Sequence, residues 1–283
     1  MSANVGVGKV RIGGGAPFVL IAGPCVIESE DLARRVAEYL QELAGRLGIP
    51  LIFKASFDKA NRSAADSFRG PGLAKGLEIL SRIRRELDLP VLSDVHRFEE
   101  IEPAAQALDI LQVPAFLCRQ TDFIMEVARR ARAINIKKGQ FLAPWDVSTL
   151  IEKAVAAGNR NILITERGTT FGYNNLVADM RSLPAIRSMG VPVVFDATHS
   201  AQMPGGAGRS SGGDRSVVPF LARAAAGAGV DGLFLEVHPD PDRALCDGPN
   251  SLALDALPGL LAVLKEIDGI VKEEERENAA DRS

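Results

Sequence analysis

Cys25, His199, Glu236 and Asp247 offer one sulfur, one imidazole and two carboxylates, a donor set suited to one divalent transition metal such as zinc, iron or manganese. Taken singly, each has a plainer role: a lone cysteine packs as a small hydrophobe, and a lone histidine is held by structural hydrogen bonds. Only a fold that carries all four to one rim makes them a site. A second group is cationic and comprises Lys54, Lys59, Arg62, Arg119, Lys138 and Arg167. In a chain of formal net charge −3, such cations gathered at one mouth repel one another unless an anionic ligand offsets them. Guanidinium forks and ammonium groups bind phosphate and carboxylate. Arg34, Arg35, Arg84 and Arg129 lie in amphipathic stretches and read as solvated side chains. The expected chemistry is therefore that of small anionic substrates beside a metal.

The elements that must position these residues show as eight short apolar runs rich in branched residues, at 18–22, 51–54, 91–94, 110–113, 141–144, 162–165, 193–196 and 233–236. Amphipathic stretches with helical spacing lie between most of them, as at 31–48, 72–87, 122–133, 148–157 and 217–228. This alternation predicts an α/β chain folded as a single (β/α)8 TIM barrel. A doubly wound sheet would carry a dinucleotide fingerprint after its first strand, and Gly13, Gly14 and Gly15 precede that strand as a turn. In a barrel the active site lies at the C-terminal strand ends. Cys25, Lys54, Lys59, Asp94, His96, Arg119, Gln120, Trp145, Asp146, Glu166, Arg167, His199, Glu236, His238 and Asp247 all fall there, and Lys138 falls just before the run at 141–144. Cys118 and Cys246 are expected to pack in the core or line the site, and His96 and His238 to act behind the ligands or structurally. Residues 1–17 form an N-terminal extension. The glycine-rich segment 205–215 is expected to be a mobile active-site loop, and 273–283 a charged, solvated tail.

Composition narrows the alternatives. With 46% hydrophobic and 24% charged residues, 283 residues supply one sizeable core. A pI near 5.8 gives no general basic field, so nucleic acid is not an expected partner. Three cysteines without paired spacing point to a reducing compartment, and no apolar run approaches the roughly 20 residues that cross a bilayer. A cytoplasmic protein with no membrane partner is expected. No pair of histidines one residue apart follows the first run, so a two-metal hydrolase is not supported.

Longer motifs then add a resemblance. IAGPCVIES at 21–29, FKASFDKANRS from Phe53, SFRGPGL from Ser67, LSDVH from Leu92 and LQVPAFLCRQTD from Leu111 are followed by KKGQFLAPWD from Lys137. TERGTTFGYNNLVADMRSLP from Thr165, FDATHS from Phe195, QMPGGAGRSSGGDR from Gln202 and CDGPNSL from Cys246 complete the series. Across nearly its whole length the chain resembles the 3-deoxy-D-manno-octulosonate 8-phosphate synthase family. The resemblance implies an aldol-type condensation of phosphoenolpyruvate, water and D-arabinose 5-phosphate that releases inorganic phosphate, in lipopolysaccharide precursor synthesis. It assigns phosphoenolpyruvate to Lys54, Lys59, Lys138 and Arg167, and arabinose 5-phosphate to Asn61, Arg62 and Ser63 with Asp94 near its hydroxyls. Arg119 would reach across a subunit boundary, which implies a homotetramer. His199 and Glu236 would serve both as metal ligands and as orienters of the reacting water, with Asp247 a further ligand and catalytic residue. Ala64 stands where a Ser is common, at the cost of one neutral hydrogen bond of about 1 kcal/mol. Cys25 marks the metal-dependent branch, since the metal-free branch carries Asn there, whereas CDG at 246–248 resembles metal-free members. The related 3-deoxy-D-arabino-heptulosonate 7-phosphate synthases, which use erythrose 4-phosphate, typically show Lys-Pro-Arg-Thr-Ser where this chain has KANRS at 59–63.

Overall fold

A strand buried on both faces is rich in apolar side chains, and the barrel strands supply them where one face meets helices and the other builds the barrel floor. The computed structural model describes residues 2–62, 64–206 and 212–280. Its eight parallel barrel strands are, in order, Val19–Gly23, Leu51–Lys54, Val91–Asp94, Ile110–Val113, Ala133–Lys137, Ile162–Glu166, Val193–Asp196 and Gly232–His238. Each pairs with its sequence neighbours, and the seventh and eighth join through Val194 opposite Gly232 and Asp196 opposite Phe234. The eighth pairs with the first, from Gly232 opposite Val19 to Glu236 opposite Gly23, and this closes the (β/α)8 barrel. Helices Glu30–Leu47, Leu73–Leu87, Phe98–Ala107, Thr121–Arg130, Val147–Ala156, Ser182–Arg187, Val218–Gly227 and Leu257–Ala280 surround it.

The fifth strand corrects the sequence reading. The run at 141–144 is a turn leading into a short 3-10 helix, and the strand is Ala133–Lys137. Two of its inward positions, Asn135 and Lys137, are polar, which hides it from a search for apolar runs: Asn135 donates to Gln112 at 2.8 Å and accepts from Thr165 at 2.7 Å inside the barrel.

Two-residue periodicity stacks the interior in layers. The floor is apolar, built from Ile52, Leu92, Ile110, Ala133, Leu163, Val194 and Phe234. Two residues further along the same strands stand Lys54, Asp94, Gln112, Asn135, Thr165, Asp196 and Glu236, all buried. The mouth is thus charged because the strands change residue type at one level. The opposite end is closed by an antiparallel hairpin, Asn4–Val7 with Val10–Gly13, whose Val5, Val7, Val10 and Ile12 pack onto the floor. The N-terminal extension is therefore a plug.

The last helix runs to Ala280, so the charged segment 273–280 is helical and mostly exposed, and 281–283 lie outside the described residues. Glu275 holds Arg187 with two hydrogen bonds, one of 2.9 Å, and buried Asp231 lies 3.4 Å from Arg187 and 3.6 Å from buried Lys272. Asp231 also accepts from Ser2 and from the backbone of Val193. Asp231→Ala strands Lys272 without its anion and is expected to cost about 3–5 kcal/mol, read as a lower urea midpoint with an unchanged slope.

Candidate active site

Gly23 ends the first strand, and a Cβ there would lie 1.9 Å from the Lys54 carbonyl oxygen. Its absence lets the first two strands converge, so that the Lys54 ammonium donates to the Cys25 carbonyl at 3.0 Å and to Glu236 Oε1 at 2.9 Å. Cys25 Sγ lies 3.3 Å from Asp247 Oδ2, and His199 Nε2 lies 3.6 Å from both Asp247 Oδ2 and Glu236 Oε2. The four proposed ligands thus meet at one rim. Cys25, Cys246 and Asp247 form one triad of donor atoms and His199, Glu236 and Asp247 another, each within 4.8 Å.

The donors fit a cation. Glu236 Oε2 is buried with no hydrogen-bond partner, a costly state for a carboxylate oxygen unless a cation meets it. Burial alone would raise the Glu236 pKa, but Lys54, then His199 and Lys59, bring it down to about 2. Asp247 is also held below the usual carboxylate range: its burial is outweighed by the hydrogen bond and charge of His199. Burial, together with Cys246 and Asp247, pushes the Cys25 thiol up. A thiol that holds its proton in an anionic setting is one that a bound cation would ionise.

Asp196, which ends the seventh strand and which sequence reasoning left without a role, orients the histidine. Its Oδ1 caps the short helix Ala197–Ser200 by accepting from the His199 backbone at 2.9 Å, while Oδ2 meets His199 Nδ1 at 2.7 Å. With Nδ1 engaged by a carboxylate, Nε2 is left to face the other ligands. Asp196 also pairs with Lys137.

Lys137 changes the cation assignment. The alternation of the fifth strand sends Ala133, Asn135 and Lys137 inward and Ile134 and Ile136 outward. Lys138 follows to the outside, where its fully buried ammonium is held by the carbonyls of Gly139 and Leu142, by Thr169 and by Glu166 at 3.5 Å. Lys137 lies in the mouth, 3.4 Å from His199 Nδ1 and 3.8 Å from the centre of the Phe234 ring. Burial lowers the pKa of Lys137 despite Asp196, and nearby Lys54 lowers it further.

A cavity of about 420 Å³ has Lys54, Lys59, Asn61, Arg62, Asp94, His96, Lys137, Arg167, His199 and Asp247 on its wall, whereas Cys25, Glu236 and Lys138 do not line it. Arg167 is buried, donates to Gln202 at 2.8 Å and leaves its Nε unpartnered. Asp94 accepts from Ser56 at 2.8 Å and lies 4.0 Å from Lys59; burial would raise its pKa, but Lys54 and Lys59 hold it low. Arg62 donates to Cys246 Sγ at 2.6 Å and to the Leu245 carbonyl at 3.2 Å. His96 also reaches the cavity, with Nδ1 3.7 Å from Glu100, whereas His238 is tied to the Asp240 carbonyl at 2.7 Å. Besides Lys138, two assigned residues stand apart: Arg119 is exposed and does not line the cavity, and Ser63 lies outside the described residues. Trp145 is exposed, and Cys118 packs in the outer core. Of the loop 205–215, Gly205 lines the cavity, Gly212–Gly213 pairs with Gln202–Met203, and 207–211 lie outside the described residues.

The profile of the DAHP synthetase I family matches residues 2–273, nearly the whole chain and every barrel strand. The chain belongs to the DAHP synthetase I family. Within it, the chain is 60% identical to a protein of Geobacter metallireducens named 2-dehydro-3-deoxyphosphooctonate aldolase, over 96% of this chain and 100% of the relative. Proteins of the same name from Geotalea daltonii and Geobacter sulfurreducens are 59% and 58% identical over the same shares. Family membership and the geometry meet at one place, the charged mouth of the barrel. No helix among the described residues is long and apolar enough to cross a membrane.

Proposed function

We propose that this chain is the transferase that condenses phosphoenolpyruvate, water and D-arabinose 5-phosphate into 3-deoxy-D-manno-octulosonate 8-phosphate with release of inorganic phosphate. The observation that carries this reading is the orphaned Glu236 carboxylate oxygen among metal donors, set against Lys54 and His199 of a cavity whose buried cations repel one another. The names and identities of the relatives support the eight-carbon product over the seven-carbon one. Lys54, Lys59, Lys137 and Arg167 hold the carboxylate and phosphate of phosphoenolpyruvate, with Lys137 taking the role first given to Lys138. Asn61, Arg62 and Ser63 hold arabinose 5-phosphate, with Asp94 beside its hydroxyls.

Cys25, His199, Glu236 and Asp247 hold one divalent transition metal, which when bound polarises the reacting oxygen and orients the aldose. His199 and Glu236 face the point where water must add to C2 of phosphoenolpyruvate, while its C3 attacks the aldehyde. The cations around them stabilise the phosphate as it leaves. A homotetramer is part of this reading: Arg119, exposed on its own subunit, completes a neighbour's site. The enzyme works in the cytoplasm, supplying lipopolysaccharide precursors.

Phosphate release with arabinose 5-phosphate or erythrose 4-phosphate, before and after chelation and metal add-back, tests the reading. Turnover of the five-carbon sugar alone, lost on chelation and restored by metal, is expected. Preference for the four-carbon sugar overturns the substrate, and undiminished turnover after complete metal removal overturns the metal.

A further inference from the structure

One thiol beside the metal donors has no part in that mechanism. Cys246 is buried and sits with Cys25 and Val26 in a small cluster separate from both large cores, its Sγ 2.8 Å from Cys25 Sγ. Both cysteines are free thiols. Cys246 Sγ, Cys25 Sγ and an Asp247 oxygen lie within 4.8 Å of one another, and Asp247 also belongs to the triad with His199 and Glu236. Consecutive residues of extended chain point to opposite sides. Here the left-handed backbone of Asp247, at φ 48°, accompanies the convergence of residues 246 and 247 on one point. A non-glycine residue held in that conformation is a strained feature of the kind that functional sites retain.

We propose that Cys246 is a further ligand of the cation held by Cys25, His199, Glu236 and Asp247, so that this chain offers two thiolates and favours zinc over manganese. The inference rests on the metal reading above. Thiolate ligands select soft and borderline cations, whereas a single thiolate among oxygen and nitrogen donors leaves manganese competitive. Binding displaces the proton of each thiol. A zinc ion held by both sulfurs would take the place of the Cys25 to Cys246 hydrogen bond, and the two thiolates would supply the soft donors that favour it. Arg62, which now donates to Cys246 Sγ, lines the cavity with it and would be released to substrate phosphate once that sulfur engages the cation.

The test is X-ray absorption on the full-length protein, stripped by chelator and loaded with one equivalent of zinc. Two sulfur neighbours are expected in the wild type and one in Cys25→Ser and in Cys246→Ser. Competition titration is expected to show zinc affinity at least about tenfold lower in Cys246→Ser, with manganese affinity changed less. Cys246→Ala, which has no donor atom, keeps the count decisive if a serine oxygen takes the vacated place. One sulfur in the wild type, or a count unchanged by both Cys246 variants, overturns the inference and leaves the metal reading intact. A wild-type protein that binds no zinc or manganese overturns the metal reading itself, and this inference with it.

Discussion

Lys137→Met is expected to lower kcat/KM for phosphoenolpyruvate by about 10²- to 10³-fold, while Lys138→Met leaves turnover per folded molecule far less affected and lowers stability instead. The two neighbours differ in which side of the barrel wall they occupy. Lys137 faces the cavity beside His199 and Arg167, where burial and like charge leave it under-compensated until an anion arrives. Methionine keeps the length and loses the charge. Lys138 is fully buried outside the barrel, and its contacts pin the turns at Gly139 and Leu142 to Thr169 and Glu166. Loss of that ammonium leaves several polar groups unsatisfied, at about 1–3 kcal/mol for each lost partner. Steady-state kinetics and urea unfolding on both variants separate the effects. Equal kinetic damage from Lys138→Met with unchanged stability would reverse the assignment.

Asp196→Asn is expected to weaken metal binding by about 10- to 100-fold and to lower kcat by a similar factor. The amide keeps the shape, and its oxygen can still cap the helix that carries His199. The charge that compensates Lys137 and fixes the imidazole through Nδ1 is lost. An amide can donate to Nδ1 and favour the tautomer with the proton on Nε2, the nitrogen that faces Glu236 and Asp247. Zinc competition and activity at saturating metal distinguish the two consequences. Excess metal recovers the part of the loss due to affinity, and the remainder reports misorientation. Wild-type affinity together with wild-type kcat would show that Asp196 does not position His199.

Seven of the eight strands could be found from the sequence within a few residues, because most of their positions are buried and apolar. The fifth escaped because Asn135 and Lys137 on its inner face interrupt the run, and their partners lie on other strands of the barrel. The N-terminal hairpin escaped for another reason. Its alternating Val5, Val7, Val10 and Ile12 signal a half-buried ribbon, but nothing local says that it seals a barrel floor. The segment 273–280 looked like tail because its fixing contact, Glu275 to Arg187, spans 88 residues.

By itself the sequence determined the alternation of strand and helix, the positions of Cys25, Lys54, His199 and Glu236 at strand ends, and the motifs that place the chain in its family. Those features depend on residue type and local period. Tertiary structure alone decided which of two adjacent lysines enters the cavity, that Asp196 stands behind His199, and that Cys246 lies against Cys25. Each of these depends on strand phase or barrel closure, which sets distances between groups far apart in the chain.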